Sequence, residues 1–245
     1  TRRASEERAV LAEISRIITS TSEIETVYDQ TAEQIRKLVP FDRIVVDTID
    51  NTLGTVIDRY IAGLVVEDIG IGTTRSLDGS FAADLIKGPL PRWFGGTDAK
   101  NQDRKYPNAR SRIHAELAST VVAPLIWNDE IVGLLHLRSK KENAYGDVDA
   151  VTVMKIANQI SGAVANAELA ARNSAESEER AVLAEISRII TSTTEIEKVY
   201  DLTTEQMHKL IAFDRIVVST IDRTRNLVTD RYVAGLQVKD GDAGS

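Results

Sequence analysis

The chain has 245 residues, 42% of them hydrophobic and 27% charged, with 30 Lys and Arg against 37 Asp and Glu for a net charge of -7. This is the composition of a globular protein, far from the polar, highly charged corner where disorder lies, and its acidic balance opposes any phosphate-tracking surface, so nucleic acid is not an expected partner. With no Cys, the sequence excludes disulfides, thiolate metal sites, Cys nucleophiles and thioether-linked cofactors.

No apolar run approaches the ~20 residues needed to span a bilayer. The opening TRRASEER is neither a signal peptide nor a transit sequence, so a cytoplasmic location is expected.

Residues 5–21, SEERAVLAEISRIITST, recur letter for letter at 177–193. A shift of 172 places aligns residues 5–68 with 177–240, and 47 of those 64 positions are identical. The expected organisation is therefore a whole domain over residues 1–172 and the front part of a duplicated one over 173–245.

Val10, Ile14, Ile17 and Ile18 fall at helical spacing and predict a first amphipathic helix. Ser22 with Glu25, repeated as Thr194 with Glu197, has the spacing of a capping box that opens a second helix. Its core stripe is Ile24, Val27, Tyr28, Thr31, Ile35 and Leu38, and Pro40 helps to end it. The β-branched run FDRIVVDTID, a turn and TVIDRYIAG then predict a hairpin. Gly54 in its turn becomes Asn226 in the repeat, and these are the two residues that best tolerate positive φ.

From residue 69 to about 117 the pattern loosens through IGIGTTRSL, a short helix around SFAADLIKG and a stretch rich in Gly, Pro and charge. Irregular segments of that length inside a compact domain are usually binding loops or lids. ASTVVAPLIW, a turn at Asn128 and Asp129, and IVGLLHLRS predict a second hairpin whose near-continuous apolarity means that both sheet faces are covered. From Asp147 the chain turns helical. Val153, Ile156, Ile160, Ala163, Ala167 and Ala170 alternate spacings of three and four and form a heptad seam of small residues toward its end. Continuous to residue 192, this helix would be about 70 Å long; the alternative is a kinked, solvated linker around RNSAESEER.

The order helix, helix, hairpin, loose segment, hairpin, long helix resembles a GAF domain, a sensory module related in topology to PAS domains. The resemblance rests on FDRIVV, on STVVAPLIWNDEIVGLLHLRS, on NAYGDVD and on the exit helix AVTVMKIANQISGAVANAEL. It implies an α+β fold: a central antiparallel sheet with flanking helices and a long C-terminal connecting helix. It also implies a small-ligand pocket between the sheet and the loose segment, and a homodimer through the first and last helices, with Ile156, Ile160, Ala163, Ala167 and Ala170 on the connector. Bilin-carrying members attach their tetrapyrrole through a Cys, so covalent bilin is excluded here. The signature of members that bind cyclic nucleotides has no match in AKNQDRKYPN.

Phe81, Trp93, Arg110 and His114 are the ligand-binding candidates in the loose segment. Each has a plainer alternative: Trp93 as a loop anchor, Arg110 as part of a solvated basic run with Arg104, Lys105 and Arg112, His114 as an exposed residue on a short helix. His136 lies in a strand and can face either side of the sheet. No catalytic cluster and no metal-spaced set of residues stands out, so no cofactor, no metal and no enzymatic activity are expected of this chain. The expected role is that of a sensory module of a multidomain signalling protein, a sensor histidine kinase first and a diguanylate cyclase or phosphodiesterase next. The alternative is a dimerisation scaffold with a filled core. The strand at 214–221 of the second copy lacks the partners its first-copy equivalent would have, so pairing with the same segment of another chain is expected.

Overall fold

The computed structural model describes residues 2–21, 23–67, 69–96, 105–106, 117–192 and 195–236. Two units are distinguished, residues 1–169 and 170–245.

In the first unit the β-branched run RIVVDTID forms β1 (Arg43–Asp50), and TVIDRYIAG forms β2 (Thr55–Gly63). Gly54 closes the turn between them at φ 63°, and Asn226 takes φ 53° at the equivalent place in the repeat, so the Gly-to-Asn exchange does mark a left-handed position. The short β3 (Thr74–Ser76) pairs with β2, and the short β4 (Arg92–Gly95) pairs with β5 of the second long hairpin, β5 (Ser119–Trp127) and β6 (Glu130–Ser139). Asn128 and Asp129, at φ 49° and 64°, make its two-residue turn. The six strands form one antiparallel sheet in the order β3-β2-β1-β6-β5-β4. Chain order and sheet order differ at one place, where β6 inserts beside β1.

Helices α1 (Arg2–Ser20), α2 (Ile24–Leu38) and α4 (Asp147–Ser192) and the short α3 (Phe81–Lys87) complete the α+β fold. Alternation along the strands divides the core in two. Ile44, Val46, Leu135 and Leu137 point to one face and pack with Ile14, Ile35, Ile156 and Ile160 of the helices. Ile49, Val56, Val122 and Leu134 point to the other and pack with Phe81 and Leu85 of α3. Both faces are covered, as the apolar runs required. Across the helical layer α1 is fastened to α4 by Arg3 on Asp149 at 3.0 Å, by Lys155 on Glu7, and by the Gln159 amide donating to the Leu11 carbonyl at 2.9 Å.

Two local expectations are corrected. The second helix opens at Ile24, with Glu23 as its cap residue and no side-chain cap bond, one position later than a box on Ser22 requires. Ser22 and Thr194 themselves lie outside the described residues. In α4, which runs unbroken through RNSAESEER, Ile156 and Ile160 are buried against their own sheet and are not available to a partner helix. Ala163 and Ala167 are half-buried and Ala170 is exposed, so only the later part of the small-residue seam faces outward.

The second unit contains the last part of α4, then α5 (Ile196–Leu210) and the hairpin β7 (Arg215–Asp222) and β8 (Leu227–Gly235). Its register repeats that of β1 and β2 pair for pair, including the irregularity between Val218 and Ser219. The burial differs. Val45, Ile49 and Val56 are 3%, 7% and 4% exposed, whereas their equivalents Val217, Ile221 and Val228 are 42%, 71% and 67% exposed. Among the described residues β7 pairs with β8 alone. None of the described helices is long and apolar enough to cross a membrane.

Candidate functional site

The pleat that sends Ile44 and Val46 to the helices sends Arg43, Val45 and Asp47 to the opposite face, where Asp58 of β2 and His136 of β6 join them. Over these strands lies α3, and between them is a cavity of about 70 Å³ with Phe81 and Ala82 on its wall. A single water needs about 10–15 Å³ on such a measure, so the cavity has room for several waters or for the polar group of a small ligand.

Its floor is unusually charged for the middle of a sheet. Asp58 is 1% exposed, and both its oxygens accept from Arg75 of β3, at 2.6 and 2.7 Å. Burial works against the Arg75 charge, but the hydrogen bonds and attraction of Asp58 outweigh it and its pKa is raised. Asp47 accepts the Leu134 backbone N–H at 3.0 Å and lies 2.9 Å from His136 Nε2. Arg43 is 1% exposed and donates through Nη1 to the Leu64 carbonyl. Its Nε and Nη2 have no hydrogen-bond partner among the described residues, and burial lowers its pKa.

The short lid helix is fixed at both ends. Ser80 caps α3 by accepting the Ala83 N–H at 3.2 Å. Phe81 meets Phe94 and Tyr106 edge-on, with ring centroids 5.6 and 5.4 Å apart. Asp84, outside the cavity, takes Lys105 at 2.6 Å and the Tyr106 hydroxyl, and these bonds, that of Lys105 first, hold its carboxyl below the usual range.

One contact leads from this floor to the other side of the sheet. The register of β1 and β2 shifts where Val46 faces Tyr60 and Asp47 faces Asp58, leaving Arg59 as the extra residue of a β-bulge. Arg59 reaches the helical face, donating to Thr48 Oγ1 at 3.0 Å and to Glu168 of α4 at 2.6 Å. Thus Asp47 and Asp58 face the cavity, while Arg59, bonded to Thr48, holds the exit helix. The repeat keeps the bond between the strands: Arg231 donates to Thr220 Oγ1 at 3.0 Å.

Of the residues singled out from the sequence, Phe81 lines the cavity. Trp93 does not: it is 42% exposed, and its indole N–H donates to Asp147 at the start of α4, 2.9 Å away. It anchors β4 to the exit helix, the plainer of its two readings. Arg110 and His114 lie outside the described residues. His136, whose side was open, faces the cavity. Arg43, Asp47, Asp58 and Arg75 were missed. The available signal was charge at alternate positions of otherwise apolar strands, which costs too much to bury unless each group has a partner or a purpose.

A comparison with curated proteins gives no match. Among solved structures the chain is similar to the GAF domain of a phosphoenolpyruvate-protein phosphotransferase from Coxiella burnetii, at 12% identity and a TM-score of 0.56, over 69% of this chain and 98% of that one. It is similar to the phycoerythrobilin-bound GAF domain of a cyanobacterial phytochrome, at 17% identity and a TM-score of 0.54, over 68% of this chain and 98% of that one. It is also similar to the GAF domain of a two-component sensor histidine kinase from Bacillus halodurans, at 18% identity and a TM-score of 0.50, over 62% of this chain and 99% of that one. The GAF domain family model matches residues 23–164, more than half the chain. With its antiparallel sheet, lid helix and long exit helix, the chain belongs to the GAF domain family.

Proposed function

We propose that this chain is the sensory part of a multidomain signalling protein, in which a small molecule enters the cavity of the first domain and alters the hold of the sheet on α4. The observation that carries this reading is the polar cavity backed by the Arg59–Glu168 contact at 2.6 Å, which connects a space for the polar group of a small ligand to an element leaving the domain. A ligand shifts such an equilibrium only through contacts that differ between the two states, and Asp58, engaged by Arg75 and adjacent to Arg59, is placed to make them. Residues 173–245 are, on this proposal, the front of a second GAF domain. The matching register supports that, and so does the Tyr232 hydroxyl on Asp201 at 2.8 Å, which repeats Tyr60 on Asp29 at 2.8 Å. The output domain is proposed to be a histidine kinase, supported by the similarity to the Bacillus halodurans domain, and self-association is proposed through the exposed later seam of α4 and the open edge of β7.

The competing reading, a scaffold without a ligand, is separated by a screen of small molecules for thermal stabilisation of the whole chain and of an Ala82→Phe variant. Ala82 lines the cavity, so Phe fills it. The sensory reading expects compounds that stabilise the natural chain and lose that effect in the variant. If no compound discriminates between the two, the scaffold stands and the sensory reading falls.

A further inference from the structure

Resting on the reading that the cavity takes a ligand, we propose that this ligand is a compact anion, a carboxylate or a phosphate, received by the guanidinium of Arg43. The two acids on the cavity floor are already engaged. Asp58 places both oxygens on Arg75, at 2.6 and 2.7 Å, and Asp47 is shared between the Leu134 N–H and His136. Arg43 has no carboxylate among its hydrogen-bond partners; its one such partner is a neutral carbonyl, that of Leu64, and Nε and Nη2 donate to nothing among the described residues. At 1% exposure a guanidinium cannot turn those donors to bulk water, and it cannot shed its charge at any physiological pH. A buried donor without a partner is costly, and a buried charge more so. A planar fork with unspent donors beside a cavity matches the geometry of a carboxylate or a phosphate.

The repeat separates this role from a structural one. Arg215 stands at the same register and keeps the same clasp, donating through Nη1 to the Leu236 carbonyl at 3.2 Å. The clasp at the end of the hairpin is therefore a feature of the hairpin itself. Where the first hairpin has Asp47 the repeat has Ser219, which donates to Asp230, the counterpart of Asp58, at 2.6 Å. Ser80 supplies a second group on the cavity wall, because its oxygen accepts from Ala83 and leaves the hydroxyl proton to be donated. Three kinds of cavity group thus stand in order: acids paired, Arg43 unpaired at two donors, and a hydroxyl with a proton to give.

The test is an NMR titration of the whole chain, following the Arg43 Nε–H resonance, assigned by its loss in Arg43→Lys, with inorganic phosphate, malonate and the neutral malonamide as probes. The proposal expects saturable movement with phosphate or malonate, none with malonamide, and, read in both chains from the Ala83 backbone amide on the cavity-wall Ser80, affinity about tenfold weaker in Arg43→Lys, which keeps the charge but not the fork. Which anion binds distinguishes phosphate from carboxylate recognition. Should Arg43→Lys fail to fold, the response of the natural chain to the three probes, compared with that of Ala82→Phe, carries the test. Saturation by malonamide with no response to either anion would overturn the anion assignment while leaving a ligand pocket in place. Responses that are unchanged in Ala82→Phe, whatever the probe, would overturn the pocket and the anion together.

Discussion

Asp58 is the residue on which the cavity floor depends. It is buried, and both its carboxylate oxygens accept from Arg75 of the neighbouring β3. Breaking a buried pair by removing one partner strands the other charge, so Asp58→Asn is expected to lower unfolding free energy by about 3 kcal/mol, with the Asp58→Asn and Arg75→Gln double variant losing clearly less than the sum of the singles. Urea denaturation of the four chains measures this. A smaller loss, about 1 kcal/mol, is expected for Tyr60→Phe, which removes the hydroxyl from Asp29. Asp42 carries a pH dependence. The Lys140 backbone N–H, and after it the Ser139 hydroxyl, bind its carboxylate at 2.7 and 2.8 Å and lower its pKa in the folded chain. Its contribution is complete above the unfolded Asp value of about 4 and is lost as pH falls through the lower folded value. Asp42→Asn should therefore shallow the fall in stability below about pH 4 relative to the natural chain. At this scale the sequence was only partly legible. Phe81 could be placed because an aromatic opening a short helix has one apolar face to choose. Trp93 could not, since an indole serves equally as wall or anchor. The side taken by His136 was hidden by the near-continuous apolarity of its hairpin, which removes the alternation that tells one sheet face from the other.

Among the elements, the order of helices and hairpins was legible throughout, because helical stripes and β-branched runs separated by turn residues carry it. Helix ends and the β-bulge were not. The cap of α2 lies at Glu23, where the chain's entry decides the cap and no side-chain bond does. The bulge at Arg59 depends on which strand pairs with which, and that is set by tertiary contacts. The closeness of β6 to β1 is a further example. A Cβ on Gly133 would lie 2.0 Å from the Asp47 carbonyl oxygen, a backbone atom that cannot step aside. Gly133→Ala should thus cost about 1–3 kcal/mol, the range for overpacking, and loosen amide protection in both strands. In α4 the helix and its small-residue seam were legible, but the facing of each side was not. Ile156 and Ile160 serve the sheet, and the seam is open only from Ala163 onward.

For the chain as a whole, the repeat was its most legible property, and it turns one unit into an internal control for the other. The same hairpin register is buried in one unit and exposed in the other, so burial there is set by what covers the strands and not by their sequence. Self-association through the β7 edge predicts that light scattering of the chain rises with concentration and that Ile221→Lys, at a 71% exposed apolar site, reduces it without changing the melting of the first unit. The central claim is that the state of the cavity reaches α4 through Arg59. Hydrogen exchange along residues 160–172 of the natural chain, of Ala82→Phe, of Arg59→Gln and of the double variant tests it most directly. The account predicts that filling the cavity alters exchange in that stretch of α4 when Arg59 is present and leaves it unaltered when Arg59 is Gln. Exchange there that is indifferent to Ala82→Phe, or that responds equally in both backgrounds, would contradict it.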